Sequence, residues 1–253
     1  MEPLSINILV SLAVILIQGS PQARLSVLPA VGRCVRLGTF GSGPAAEPTQ
    51  VGEFWKCGRC EIEAPLPIGY PAPTPPGAIE LKSYPSVRRA EISSTGSTAM
   101  GMFASFWPLF NHIKSREIAM TSPVEMDYRG MMEPNSNQLN EKNGSWTMSF
   151  LYRESDMGPI GKDGTITVVD TTPITVLSVG LKGAYGLQKT NEGLKLLNEW
   201  IATHPAWRAV GDPRTFSYNG PAVRNGDKWS EVQLPIELKS DVLSNNGTES
   251  TSD

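Results

Sequence analysis

AMGMFASFWPLFNHIKSREIAMTSPVEM, residues 99–126, holds more aromatic surface than an ordinary core-facing helix uses. Ser97 or Thr98 can cap a helix that then runs through Ile113. At about 100° per residue, Met102, Phe106, Leu109 and Ile113 form one stripe, while Phe103, Trp107 and Phe110 widen it beyond a single core-facing side. One sheet cannot cover all of that. Each ring presents about 150 to 250 Å², so leaving two in water forgoes roughly 8 to 12 kcal/mol as an upper bound. A flanking segment, a second subunit or a flat ligand could cover the excess. Pro108 lies in the helix interior, where it removes one backbone bond and favours a kink, so a concave groove beside the helix is expected.

Outward from this helix the chain reads twice through one plan. Upstream, Ala78–Tyr84 and Val87–Thr95 have strand character, with Pro85 and Ser86 at the turn. Downstream, Pro123–Tyr128 and Ser145–Tyr152 are two more strands around a polar loop. The second pass has strands at Thr165–Asp170 and Ile174–Leu181, rich in β-branched residues. A helix over Thr190–Thr203 follows, capped by Thr190 or Asn191, with Leu194, Leu197 and Ile201 on one stripe. Arg214–Tyr218 and Lys228–Glu237 close the pass. The corresponding elements are offset by about 87 to 89 residues, which predicts two pseudo-twofold β-β-α-β-β halves. The fold class expected is α+β: a distorted antiparallel β-barrel flanked by two helices.

The 253 residues carry a net charge of −3, with no run of clustered Lys or Arg, which supplies no footprint for a phosphate backbone. Nucleic acid is therefore set aside. Residues 1–23 are expected to be a signal peptide or N-terminal membrane anchor. Leu4–Ile17 is an apolar run of 14 residues, too short to span a bilayer at roughly 20 residues. The flank before it holds Glu2 and no basic residue, and no A-x-A-like cleavage site follows. Export to the periplasm or cell envelope is the expectation. Residues 24–73, rich in Pro and Gly, are read as a linker or an arm lying on the domain, residues 74–240 as the domain, and residues 241–253 as a disordered tail. Of three cysteines, Cys57 and Cys60 form CGRC, read as a local disulfide or two idle thiols. The position after Cys60 holds Glu61 instead of the His that covalent haem attachment requires, and no second ligand pair supports zinc.

The spacing Phe106, Leu109, Phe110, Ile113, followed by Ile118-Ala119-Met120-Thr121-Ser122-Pro123-Val124, resembles the signature of the SOUL haem-binding protein family. Glu80-Leu81 before Tyr84-Pro85, Trp146-Thr147-Met148-Ser149-Phe150, Tyr218-Asn219-Gly220-Pro221 and Glu231-Val232 extend the resemblance over roughly residues 74–238. It implies a barrel of two halves that binds haem or another tetrapyrrole in a shallow apolar groove beside the first helix. By position, Phe106 and Phe110 line that groove, with Met102 and Phe103 near them. Some members carry basic residues where this chain has Phe103 and Asn111; Arg224, in the loop before the last strand, is the nearest substitute for meeting propionates. Ser83 stands where some members have an iron-ligating His, so axial ligation from that position is excluded.

Only His112 and His204 offer imidazole to iron. His112, in the last turn of the aromatic helix, has both a structural reading and a place in the ligand site, and His204 is expected at the surface. Met120 and Met126 read as core packing. Glu231 is expected to face solvent; if buried with a raised pKa, it becomes the best acid/base candidate. Gly96–Gly101 has P-loop spacing, but Met102 and Phe103 replace the residues that touch phosphate and Mg²⁺. The function expected is noncatalytic binding of haem as a ligand by a monomer, with no metal-ligand set. The alternatives are a hydrolase of a small hydrophobic compound and an envelope module whose aromatic face meets a protein.

Overall fold

The computed structural model describes residues 28–41 and 45–239, so the expected leader and tail lie outside the described residues. No helix among the described residues is long and apolar enough to cross a membrane. The elements run β1 (Cys34–Thr39), β2 (Thr49–Val51), β3 (Phe54–Cys57), β4 (Cys60–Glu61), β5 (Ala78–Tyr84), β6 (Arg88–Ser94) and α1 (Thr98–Ser115). Then come β7 (Val124–Arg129), β8 (Ser145–Leu151), β9 (Gly161–Asp163), β10 (Ile166–Asp170), β11 (Ile174–Lys182) and α2 (Leu187–Thr203). The chain finishes with β12 (Trp207–Ala209), β13 (Arg214–Ser217), a 3-10 turn at Asn225–Asp227 and β14 (Trp229–Leu238).

The architecture is α+β, with two helices and a large antiparallel sheet ordered β1-β5-β11-β14-β13-β7-β8-β6-β10-β9, β12 pairing with β14. The expected barrel is not closed. Closure would require β5 to meet β10, but β1 pairs along the outer edge of β5 and β9 along that of β10. Each added strand satisfies the backbone groups through which the two edges would have joined.

Alternation along the strands gives the sheet two unlike faces. Leu81, Met126, Met148, Leu177 and Val232 point to one face, in a core that α1 and α2 cover with Leu109, Ile113, Leu194 and Leu197. Two glycines let the helices approach: a Cβ on Gly101 would meet the Trp146 ring at 1.8 Å, and one on Gly193 would meet Val232 at 2.6 Å. The other face carries Lys82, Tyr84, Ser178, Phe216, Glu231 and Gln233, all buried. The residues expected to form an arm cover it. Cys57, Cys60, Ile62 and Leu66 pack with Tyr84, Phe216, Tyr218 and Trp229 in a second core. The Thr121-Ser122-Pro123 motif fastens this cover, since the Ser122 amide donates to Pro65 O at 3.0 Å and its hydroxyl to Tyr218 O at 3.2 Å.

Both helix starts differ from expectation. Neither Ser97 nor Thr98 caps α1 through its own side chain; instead the Glu141 carboxylate accepts from the Thr98 amide at 2.7 Å and hydroxyl at 2.6 Å. α2 begins three residues before the expected cap, after Gly186, and the Thr190 hydroxyl donates to Gly186 O from within the first turn. A carboxylate from a distant loop and a positive-φ glycine thus replace the local hydroxyl caps that the sequence pattern suggests.

Candidate functional site

On α1 the rings divide between core and water. Met102, Phe106 and Phe110 are half-buried and rest on the main core. Phe106 stacks on Phe110 with centroids 6.1 Å apart and meets Phe150 edge-on at 5.3 Å. Trp107 sets its edge against both, at 5.6 Å from Phe106 and 5.9 Å from Phe110. Beyond them Met100, Phe103 and Trp107, spaced to share one face of the helix, are 74 %, 75 % and 55 % exposed. The rings are held by one another, so the wall is preformed.

His112 has neither ring nitrogen free. The ring is buried, with Nδ1 2.7 Å from Asp163 Oδ2 and Nε2 3.0 Å from the Tyr152 hydroxyl. Both nitrogens are therefore engaged in pinning the end of α1 to β9, with Arg116 joining the same Asp163 oxygen at 2.8 Å. The hydrogen bond from His112, reinforced by Arg116, holds the Asp163 carboxyl below its ordinary range. His204 is half-buried, not free at the surface: its ring lies parallel on Trp200 with centroids 3.9 Å apart. Met126 is buried and Met120 half-buried, as packing residues. Arg224 is exposed, next to the 3-10 turn. Its loop neighbours Val223 and Asp227 line a cavity of about 480 Å³ with Phe54, Arg59, Glu61 and Ile62 of the arm. The helix carrying the rings packs instead on β6 and β8, so the structure brings Met102, Phe103, Phe106 and Phe110 together and gives Arg224 a different neighbourhood.

Glu231 overturns its expected solvent exposure. Its side chain is fully buried beside Lys82, whose Nζ lies 2.9 Å from Oε1 and 3.1 Å from Oε2. Hydrogen bonds also arrive from the Thr74 amide (2.7 Å), Ser178 (2.7 Å), Tyr218 (2.6 Å) and Gln233 (2.7 Å). Burial pushes the carboxyl up, but the Lys82 ammonium and the donors from Tyr218 and Ser178 outweigh it and hold it at about 2. A saturated, ionised carboxylate of this kind is a poor proton acceptor. Gln233 continues the network, accepting from Arg214 Nε at 2.8 Å, and Arg214 in turn holds Glu125 at 2.9 Å. The sequence reading gives Lys82 and Ser178 no role and Tyr218 only a place in a motif; the signal available is Glu80, Lys82 and Tyr84 on one side of a strand whose other side holds Ile79 and Leu81.

Cys57 and Cys60 face each other across the β3–β4 hairpin, whose turn uses Gly58 at φ +59°. They are free thiols, and burial pushes both up from the ordinary range. That matches the idle-thiol alternative.

An antiparallel sheet backed by two helices, one bearing an outward aromatic wall, defines an α+β domain. Within that class the chain belongs to the SOUL haem-binding protein family, whose family model matches residues 72–235. Among curated protein sequences none matches. Two solved structures show the fold again, and a third is more distantly similar. The C-terminal domain of EcmrR superposes with a TM-score of 0.51 at 16 % identity, covering 64 % of this chain and 98 % of that one. The EcmrR chain in its DNA complex gives 0.52 at 17 % identity, covering 64 % and 57 % respectively. A hydrolase from Listeria innocua gives 0.47 at 11 % identity, covering 66 % and 94 %.

Proposed function

We propose that this protein binds haem or a related tetrapyrrole on the aromatic wall of α1, by apolar contact and without an axial ligand from His112. The observation that carries the reading is the exposure of Met100, Phe103 and Trp107 around a stacked Phe106–Phe110 pair in a member of a haem-binding family. The exposed parts of Phe103 and Trp107 amount to roughly 250 to 300 Å², and covering them would contribute about 6 to 7 kcal/mol before the cost of association. The cavity between α1, α2 and the sheet holds only about 20 Å³, so the guest lies on the wall with one face toward water. Loose, exchangeable binding follows, suited to carrying a pigment and not to chemistry upon it.

The reading is noncatalytic, by a monomer exported to the periplasm or envelope, with any membrane attachment through the N-terminal segment. It includes a fold of two related halves. Exchanging β5 with β10, β6 with β11, β7 with β13 and β8 with β14 leaves the strand order from β5 to β10 unchanged, which supports that plan. The test is a titration of haemin into the full chain, followed at the Soret band. Saturable binding that weakens at least tenfold in Phe106→Ala/Phe110→Ala is the expected result. No saturable shift, or a double variant that binds like the parent, sinks the reading.

A further inference from the structure

Between the N-terminal halves of α1 and α2 lies a small cleft, with walls from Met102, Tyr128, Gly186, Lys189, Ser217 and Ser230. Its volume of about 20 Å³ admits a single water-sized group. We infer that this cleft is a carboxylate seat, taking an oxygen of an acidic side chain on the planar guest. This rests on the proposed binding of a tetrapyrrole to α1 and identifies where its carboxylate is held.

Three observations converge. α2 begins at Gly186 without a side-chain cap and without an acid in its first turn, and its first internal bond is from the Thr190 amide to Gly186 O at 3.0 Å. The amides of Leu187, Gln188 and Lys189 thus precede the first intrahelical bond, at the positive end of the helix dipole. Independently, Ser230 is only 6 % exposed, lines the cleft, and its hydroxyl has no hydrogen-bond partner among the described residues. Ser217 stands directly opposite it in the β13–β14 register and lines the same cleft. Lys189 adds a cation to an end that already favours anions, its ammonium shared with Glu192 at 2.5 Å. The structure shows the same chemistry at the other helix, where the Glu141 carboxylate takes the Thr98 amide and hydroxyl at the start of α1.

The seat connects with the aromatic wall through Met102. That residue lines the cleft and lies one helical turn, about 6 Å along the axis, before Phe106. A flexible acid arm on a ring resting against Phe103 and Phe106 spans such a distance.

The test compares haemin with its dimethyl ester, in the full chain, in Ser217→Ala/Ser230→Ala and in Phe103→Ser/Trp107→Ser. Removing unpartnered hydroxyls does not endanger folding. The expected result is that the parent binds the diacid about tenfold more tightly than the diester. The serine variant should lose that preference while keeping its affinity for the diester, and the ring variant should weaken both ligands alike. Equal binding of diacid and diester by the parent overturns the seat and leaves the aromatic reading standing. If neither ligand binds, the aromatic reading falls, and the seat is judged by amide shifts of residues 187–190 on addition of acetate. Shifts absent from the serine variant then support it, and an unmoved spectrum overturns it.

Discussion

The two faces of the main sheet are buried to similar degrees by opposite chemistry. On the helix side, Leu81, Met148, Leu177 and Val232 meet the stripes of α1 and α2 through dispersion and loss of water. On the arm side, Lys82, Glu231, Gln233, Arg214, Glu125 and Arg89 form a connected buried network, roofed by Ile62, Leu66, Tyr70 and Thr74. An apolar interface tolerates approximate fit, whereas a charged one depends on every partner being present. The faces should accordingly fail in different ways when perturbed.

The largest effect is expected where a charge loses its partner. Lys82→Met leaves Glu231 buried and unpaired, and Glu231→Gln does the same to Lys82; each should cost about 3 to 5 kcal/mol in urea denaturation. If both variants lie within 1 kcal/mol of the parent, the arm side is not held by paired charge. Acid probes the same contrast more gently. Glu231 is depressed to about 2 from an ordinary 4.5, so its stabilisation is fully present above pH 4.5 and is lost as pH falls toward 2. That loss is on the order of 3 kcal/mol. Asp127 runs the other way: burial, together with the Glu125 charge, raises it to about 6, so protonation below that pH favours the folded state. Unfolding midpoints between pH 7 and 2 should therefore hold or rise toward pH 5 and then fall, and the final fall should be shallower in Glu231→Gln.

On the helix side, the sensitive points are steric. Gly101→Ala would drive a methyl into the Trp146 ring and Gly193→Ala would drive one into Val232. Each should lower stability by about 1 to 3 kcal/mol, less than the charge variants, because helices can shift slightly. The slope with denaturant should stay unchanged, and pH should not alter the loss. A pH-dependent loss would mean that the two faces are coupled through the sheet.

The sequence made one face much more legible than the other. Period-2 alternation placed the strands from Ala78–Tyr84 to Trp229–Leu238 close to their observed limits, and the aromatic excess on α1 pointed at residues that do stand in water. Alternation reports which side of a strand is polar, but it cannot report that a Pro-rich segment more than 150 residues away in sequence will cover Glu231. For this reason Glu231 reads as solvent-facing from sequence, and nothing in the alternation marks Lys82. The caps failed for a similar reason: local hydroxyls at Ser97 and Thr190 competed with Glu141 and with the conformational freedom of Gly186, and the distant or unusual partner won. His112 shows the limit for the site itself, since its engagement by Asp163 and Tyr152 depends on β9 and β8 meeting at the end of α1.

The smallest stability change should come from the residues to which the proposed function gives the ligand. Phe103 and Trp107 project from the helix side into water, so Phe103→Ser/Trp107→Ser removes little that folding uses. Such exposed changes usually stay within about 0.5 kcal/mol, although the edge contacts of Trp107 with Phe106 and Phe110 add a modest term. Haemin affinity should nevertheless fall at least tenfold, because the lost ring surface is what a flat guest would cover. A structural aromatic gives the reverse pattern, with stability falling and any binding loss following from unfolding. Measuring urea midpoint and Soret titration on the same preparation separates the two. A double variant that unfolds early and binds normally would return these rings to the core, and α1 would then differ from α2 only in composition.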